Sequence, residues 1–198
     1  MAIFADKKNY AGMANPFWLE PSSKDVMGYR ITGMVAGDVI PQGTPLQADE
    51  DAKTAVVCKY AYVLDVANDK KTLTVKAGHF LKASDKVAIS NGGTLTQLTI
   101  ASVTKDTIVL SAQNNNIKKG DVLVEVKTED SVVKPVAVPN RIVADRVKLD
   151  ALDQTVNAVH SGAVIQNVLQ FPVEYLNKTA FPGTTLLVGC PLIIFIKQ

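Results

Sequence analysis

The chain is expected to be mainly β, on three observations. Short runs of β-branched and apolar residues recur along it, as in Thr72-Leu73-Thr74-Val75-Lys76, where Leu73 and Val75 alternate with polar neighbours. Turn signals such as Asn68-Asp69-Lys70-Lys71, Asn91-Gly92-Gly93 and Asn114-Asn115-Asn116 separate these runs. One turn is also written twice. Gly78-His79-Phe80-Leu81-Lys82-Ala83-Ser84-Asp85 and Ile117-Lys118-Lys119-Gly120-Asp121 each place an apolar residue and a lysine before a small residue and an Asp. Each then opens a strand, Val87 and Ile89 in one, Val122, Val124 and Val126 in the other. Gly37-Asp38-Val39-Ile40 uses similar chemistry. Asp and Gly accept tight-turn dihedrals, and the branched residues that follow fit a pleated strand.

The chain opens differently. Residues 1–27 hold Phe4, Tyr10, Phe17 and Trp18 without helix or strand periodicity, and Pro16 and Pro21 interrupt them. Disordered tails are poor in aromatics, so this segment reads as a docking arm. It would pack on its own body, a sister subunit or a larger assembly. Short strands follow at Tyr29-Arg30-Ile31, Met34-Val35, Thr54 to Cys58 and Tyr60 to Leu64, with an acidic loop at Asp49-Glu50-Asp51.

Residues 67–127 read as a compact all-β unit, a small barrel or sandwich. Within it, strands at Thr96 to Val103 and Thr107 to Leu110 flank a hairpin connection at 104–106. In the last strand Val122, Val124 and Val126 share one face, opposite Leu123, Glu125 and Lys127. Residues 128–140 are a connector with Pro135 and Pro139.

Residues 141–160 admit two readings. Leu149, Leu152, Val156 and Val159 fit one helical face, whereas Thr155 to Leu169 also fits a Gly-centred pair of strands. Leu186 to Ile196 is expected as a terminal strand broken at Gly189-Cys190-Pro191.

The bulk numbers narrow function. The 198 residues fit one domain or two small ones, and 47% hydrophobic content supports a core. With 21 basic against 19 acidic residues and scattered lysines, there is no basic stripe for nucleic acid. The start carries no apolar signal segment, and the terminal apolar run is too short to span a bilayer. A cytoplasmic origin is expected. Two cysteines do not make a disulfide framework, and Cys58 and Cys190 read as buried free thiols.

No reaction centre is expected either. His79, His160, Cys58 and Cys190 lack metal-ligand spacing, so no metal or other cofactor is expected. His79 reads as a surface residue. The acidic run lacks the ligand pattern of a calcium loop. His160 and Ser161 are neighbours whose side chains point to opposite faces of a strand.

The order of segments resembles the head-fibre and head-decoration proteins of tailed bacteriophages, especially phages and prophages of Bacteroides-type bacteria. The stretches that carry this are Gly37 to Leu46, Lys59 to Leu64, Val75 to Lys82, Lys118 to Leu123, Val156 to Val164 and Ile193-Ile194-Phe195. Ala83-Ser84 departs from the family's Gly before Asp85, and Cys190-Pro191 interrupts the terminal strand.

The resemblance implies a base of 28–66 plus 136–198, β-rich or α+β, with 67–135 inserted as an all-β domain. It implies a non-enzymatic virion protein on the outside of a capsid, made in the host bacterial cytoplasm. Its partners would be the phage major capsid protein and copies of itself, a trimer for preference. Phe17 and Trp18 are then the candidate anchors of the arm. The alternative is a module binding carbohydrate or a host surface through loop aromatics, for which Tyr60, Tyr62 and Phe80 are candidates; the reading of all three as core residues is preferred. A third reading is a hydrolase built from distant carboxylates.

Overall fold

The computed structural model describes residues 23–24, 28–89, 97–150, 154–166, 181 and 184–197. Its strands are β1 (Ser23–Lys24), β2 (Tyr29–Thr32), β3 (Val39–Ile40), β4 (Pro45–Asp49), β5 (Thr54–Val57), β6 (Tyr60–Val66), β7 (Thr72–Val75), β8 (Lys86–Ile89) and β9 (Gln97–Val103). They continue with β10 (Thr107–Leu110), β11 (Val122–Glu129), β12 (Val132–Pro135), β13 (Arg141–Val143), β14 (Val147–Lys148), β15 (Thr155–Val156) and β16 (Ala158–Ile165). One helical turn, α1 (Leu186–Gly189), precedes β17 (Ile193–Ile196). The fold is mainly β, as the sequence predicts.

Strands β6 to β11 close on themselves in the order β11-β6-β7-β10-β9-β8, with β8 returning to β11. The result is a six-stranded barrel, and closure leaves it no open edge. Its interior is filled by side chains including Ala61, Val63, Leu73, Val75, Leu98, Ile100, Ile108, Leu110 and Leu123. The other large sheet runs β1-β16-β13-β4-β5-β2-β15, with β17 added parallel to β16. Strand β6, expected among the base strands, is a wall of the barrel.

The barrel is a doubled unit. Strands β6-β7-β8 and β9-β10-β11 repeat one path, and their hydrogen bonds correspond. Ser84 N–H donates to the Ile100 carbonyl and Gly120 N–H to the Val63 carbonyl, both at 2.9 Å. Ile100 N–H donates to Asp85 O and Val63 N–H to Asp121 O; Lys76 N–H donates to Tyr62 O and Ser111 N–H to Thr99 O. A local two-fold passes through the paired residues Leu73 and Ile108 on one side and Ala88 and Val124 on the other.

The repeated turn has one geometry in three places. Asp38, Asp85 and Asp121 each take the N–H of the residue three before, from Val35 at 3.0 Å, Lys82 at 2.8 Å and Lys118 at 2.8 Å. Each also returns its own N–H to that residue's carbonyl. The residue before each Asp is left-handed, with φ 96° at Gly37, 72° at Ser84 and 92° at Gly120. That is the pattern of a turn needing a positive φ at its third position.

Strand β11 is buried on both faces. Leu123 points into the barrel, while Val122, Val124 and Val126 form part of its outer wall. That wall, with Tyr60 and Ala88, packs against Ile142, Val159, Val164, Leu186 and Ile193 of the open sheet and its C-terminal segment. A third cluster, including Tyr29, Ile31, Ile40, Leu46, Val143 and Leu149, fills the open sheet's other contacts.

Local readings change, or are decided, at several points. Met34-Val35 is not a strand but leads into the Asp38 turn. Residues 146–159 form no helix among the described positions. Val147-Lys148 pairs with Val39-Ile40 and Thr155-Val156 pairs with β2. Leu149 and Val156 enter one core cluster and Val159 another, which a single helical face could not do; Leu152 lies outside the described residues. The Gly-centred pair becomes one strand, β16, running through Gly162.

The connector holds β12, which folds back on β11 through Asp130 and Ser131, both at positive φ. The terminal strand begins only at Ile193. Leu186–Gly189 is instead helical, with Cys190 N–H donating to Leu186 O at 2.9 Å. A strand would place Val188 on the same face as Leu186 and Cys190. The turn buries those two and leaves Val188 exposed.

Candidate functional site

Among the described residues, the most buried group of paired charges lies where the barrel meets the open sheet. Lys59, between β5 and β6, donates from its ammonium to Glu125 Oε1 at 2.7 Å and to Asp85 Oδ2 at 3.2 Å. All three side chains are largely buried. Asp85 is there because its turn aims the carboxylate back along the chain, and Glu125 because it shares Leu123's face of β11 and pairs with Val87, two residues after Asp85. Arrangement of the backbone fixes the third member, since Glu125 N–H donates to Lys59 O at 3.0 Å.

One ammonium between two carboxylates explains the directions in which these groups titrate. Burial alone would lower the Lys59 pKa, but Glu125 and Asp85 outweigh it and raise it. Burial raises the Glu125 pKa, and the negative Asp85 adds to that, so the Lys59 contact does not bring it back to the ordinary value. The two shifts are compatible because the cluster carries one negative charge more than its lysine can neutralise.

Beside the cluster is a cleft of about 130 Å³, lined by Thr32, Met34, Val56, Lys59, Glu125 and Val136. Ligand clefts generally enclose roughly 300–1,000 Å³. The cleft is smaller than that range. Lys59 and Glu125 are committed to each other, so the arrangement ties the segment between β5 and β6 to the barrel.

The residues read as candidates from sequence fall elsewhere. Phe17 and Trp18 lie outside the described residues. Tyr60 is 4% exposed and sits in the core between barrel and sheet, so the core reading preferred for it holds and it is no ligand-surface aromatic. Tyr62, on the same strand, is half-buried against that core, and Phe80 is half-buried against the open sheet's cluster. Strand β6 alternates its faces, which places Tyr60 and Tyr62 together on the outer wall but beneath the open sheet.

His79 is half-buried rather than on the surface. Its Nε2 lies 3.2 Å from the Thr104 carbonyl, and burial lowers its pKa against the pull of the Thr104 and Lys105 backbone. Cys58 and Cys190 are free and buried, as read from sequence. Burial pushes the Cys190 thiol up to about 12, eased by Arg141, and pushes Cys58 well up, with Cys190 and Glu125 adding to it. Thiols so held are poor nucleophiles.

The acidic loop is structural. Asp49 Oδ1 accepts the N–H groups of Asp51 and Ala52. Desolvation raises the Glu50 pKa, but Tyr29, Arg141 and Lys53 together outweigh it and hold the group below its ordinary value. Among the described residues no group of three or more His, Cys, Asp or Glu could hold a metal ion.

Sequence reasoning missed the Lys59–Asp85–Glu125 cluster. Its members lie 26 and 66 residues apart. Only the Asp had a local signature, through its turn.

Compared with known proteins, the chain matches no family model, no curated protein and no solved structure. Among the described residues no helix is long and apolar enough to cross a membrane.

Proposed function

We propose that this chain is a non-enzymatic virion structural protein that attaches to the outside of a phage capsid as a head fibre or decoration protein. The observation that carries the reading is the way the barrel is hung. The chain enters it at Tyr60 and leaves it along β11, and Val124 pairs with Tyr60. Entry and exit are therefore neighbours, and the open sheet draws its strands from both sides of the barrel in sequence. A closed module whose ends meet can be carried by a base without disturbing it. This supports the reading of the barrel as an insert, and it suits a protein that grips a shell with one part and displays another.

The mechanism is binding. Copies arranged by the symmetry of the shell, as a trimer for preference, would multiply modest contacts through avidity. Phe17 and Trp18 are the proposed anchors of the arm on the shell. The doubled turns and the Lys59 cluster serve rigidity in this reading.

The test is co-sedimentation of the full chain with shells assembled from a tailed-phage major capsid protein, with light scattering of the free chain. Saturable binding to assembled shells, lost on removing residues 1–27, is expected. Absence of binding to shells at micromolar concentration would overturn the proposal.

A further inference from the structure

The C-terminal segment exposes apolar surface that a stable soluble chain would ordinarily cover. Leu187, Val188, Leu192 and Ile194 are 44%, 58%, 63% and 63% exposed. No charged residue occurs from Leu186 to Ile196. Single exposed aliphatics are unremarkable, but four within eight residues beside a sheet edge make a patch. Among the described residues β17 pairs with β16 alone.

Strand β1 ends near this patch. In β1, Lys24 pairs with Val159 and Ser23 with Ser161, so lower residue numbers lie further along β16. The next position on β16, Gly162, pairs with Ile193 of β17. The N-terminal end of β1, at Ser23, thus lies next to the stretch of β16 that β17 flanks. The two strands meet β16 at adjacent positions, Ser161 and Gly162, and one residue along a strand is about 3.3 Å. The five residues from Trp18 to Ser23 can reach about 17 Å. The segment is also chemically suited, with Phe4, Tyr10, Phe17, Trp18 and Leu19 among its residues.

We infer that residues 1–22 of the same chain pack over the edge formed by Leu187, Val188, Leu192 and Ile194 in the free protein, with Trp18 against Leu192 and Ile194. The arm is a tethered ligand for its own sheet edge. Anchorage at β1 gives it a high effective concentration there, so it excludes the edges of other copies. The inference does not depend on attachment to a capsid.

Trp18 is the chain's sole tryptophan and reports its own environment. The experiment is acrylamide quenching and emission of Trp18 in the full chain across a hundredfold dilution series, with free N-acetyltryptophanamide as reference. Blue-shifted emission and severalfold weaker quenching, unchanged on dilution, are expected. Ile194→Asp or Leu192→Asp should restore quenching to near the reference, while Val132→Asp, on an exposed residue of β12, should not. Circular dichroism identifies any variant that fails to fold. Reference-level quenching in the unaltered chain would overturn the inference. So would shielding that disappears on dilution, which would assign the edge to a second copy, or shielding that persists in both folded Asp variants.

Discussion

Ser84 stands in one half of the barrel where Gly120 stands in the other, and both hold a left-handed backbone, with φ 72° and 92°. Each donates its N–H to the equivalent carbonyl, Ile100 for Ser84 and Val63 for Gly120. Only one of the two has the residue type that adopts this conformation without steric cost. Ser84→Gly should therefore stabilise the protein by about 1 kcal/mol, and Gly120→Ala should destabilise it by a similar amount. A Cβ at Gly120 would meet only the Tyr62 hydroxyl, at 3.8 Å, so the penalty there is in the backbone. Urea unfolding of both variants checks this; a destabilised Ser84→Gly would show that the Ser84 side chain matters more than its strain.

This relationship also shows what could be read in advance. The repeated turn was legible because Asp, a left-handed residue and a following branched run are all local features. The strands of the barrel were legible for the same reason, as in Leu73 and Val75. Closure of the barrel was not, because it depends on β8 finding β11, and nothing near Ala88 names Val124 as its partner. The helical turn at Leu186 was missed because Leu-Leu-Val favours a strand locally, while Gly189 and Cys190 are set by packing against distant residues. The candidate site was least legible. Lys59 and Glu125 look like ordinary strand-edge charges until the fold brings them together, and Tyr60 looks exposable until the open sheet covers it.

Lys59 holds two carboxylates in a largely buried place, so removing its charge should cost much more than removing a surface lysine. Lys59→Met would leave Asp85 and Glu125 facing each other with no cation between them. A loss of about 3 kcal/mol is expected, at the lower end for a broken buried pair because the cluster keeps some exposure. Adding Glu125→Gln to Lys59→Met should recover part of that loss, since one of the two unneutralised charges is gone. A double-mutant cycle by denaturant unfolding measures the coupling. Additive effects would mean that the three groups do not act as a unit.

Asp69 should carry a distinct acid signature. Its carboxylate accepts the N–H of Thr72 at 2.9 Å and of Lys71 at 3.0 Å, and the Thr72 hydroxyl at 2.8 Å. The backbone bonds from Thr72 and Lys71 lead in lowering its pKa from 3.8 to about 2. A depressed carboxylate stabilises the fold above its unfolded pKa, and that contribution fades as pH falls through the folded value. The turn at 68–72 should therefore lose support between about pH 4 and pH 2, the window set by those two values. Carboxyl-carbon NMR would show Asp69 titrating near 2, and Asp69→Asn should flatten this part of the acid profile. A midpoint near 4 would mean that the turn does not hold the carboxylate in solution.

Gly189 ends the helical turn against the connector that leads out of the barrel. A Cβ built there would overlap the Pro139 carbonyl oxygen, a backbone atom with no side-chain freedom to move aside. Pro139 precedes Asn140, whose side chain both accepts the Ala48 N–H at 2.8 Å and donates to the Ala48 carbonyl at 2.9 Å. The connector is thus pinned to β4 and cannot easily retreat. Gly189→Ala should force α1 and β17 away from the barrel's outer wall and cost about 1–3 kcal/mol, as overpacking does. Because Leu186 and Cys190 flank that contact in the core, the same variant should raise the reactivity of the Cys190 thiol toward a bulky maleimide. Denaturant unfolding and thiol-labelling rates together distinguish the cause. Lost stability with unchanged labelling would place the strain in the connector instead of in the helical turn.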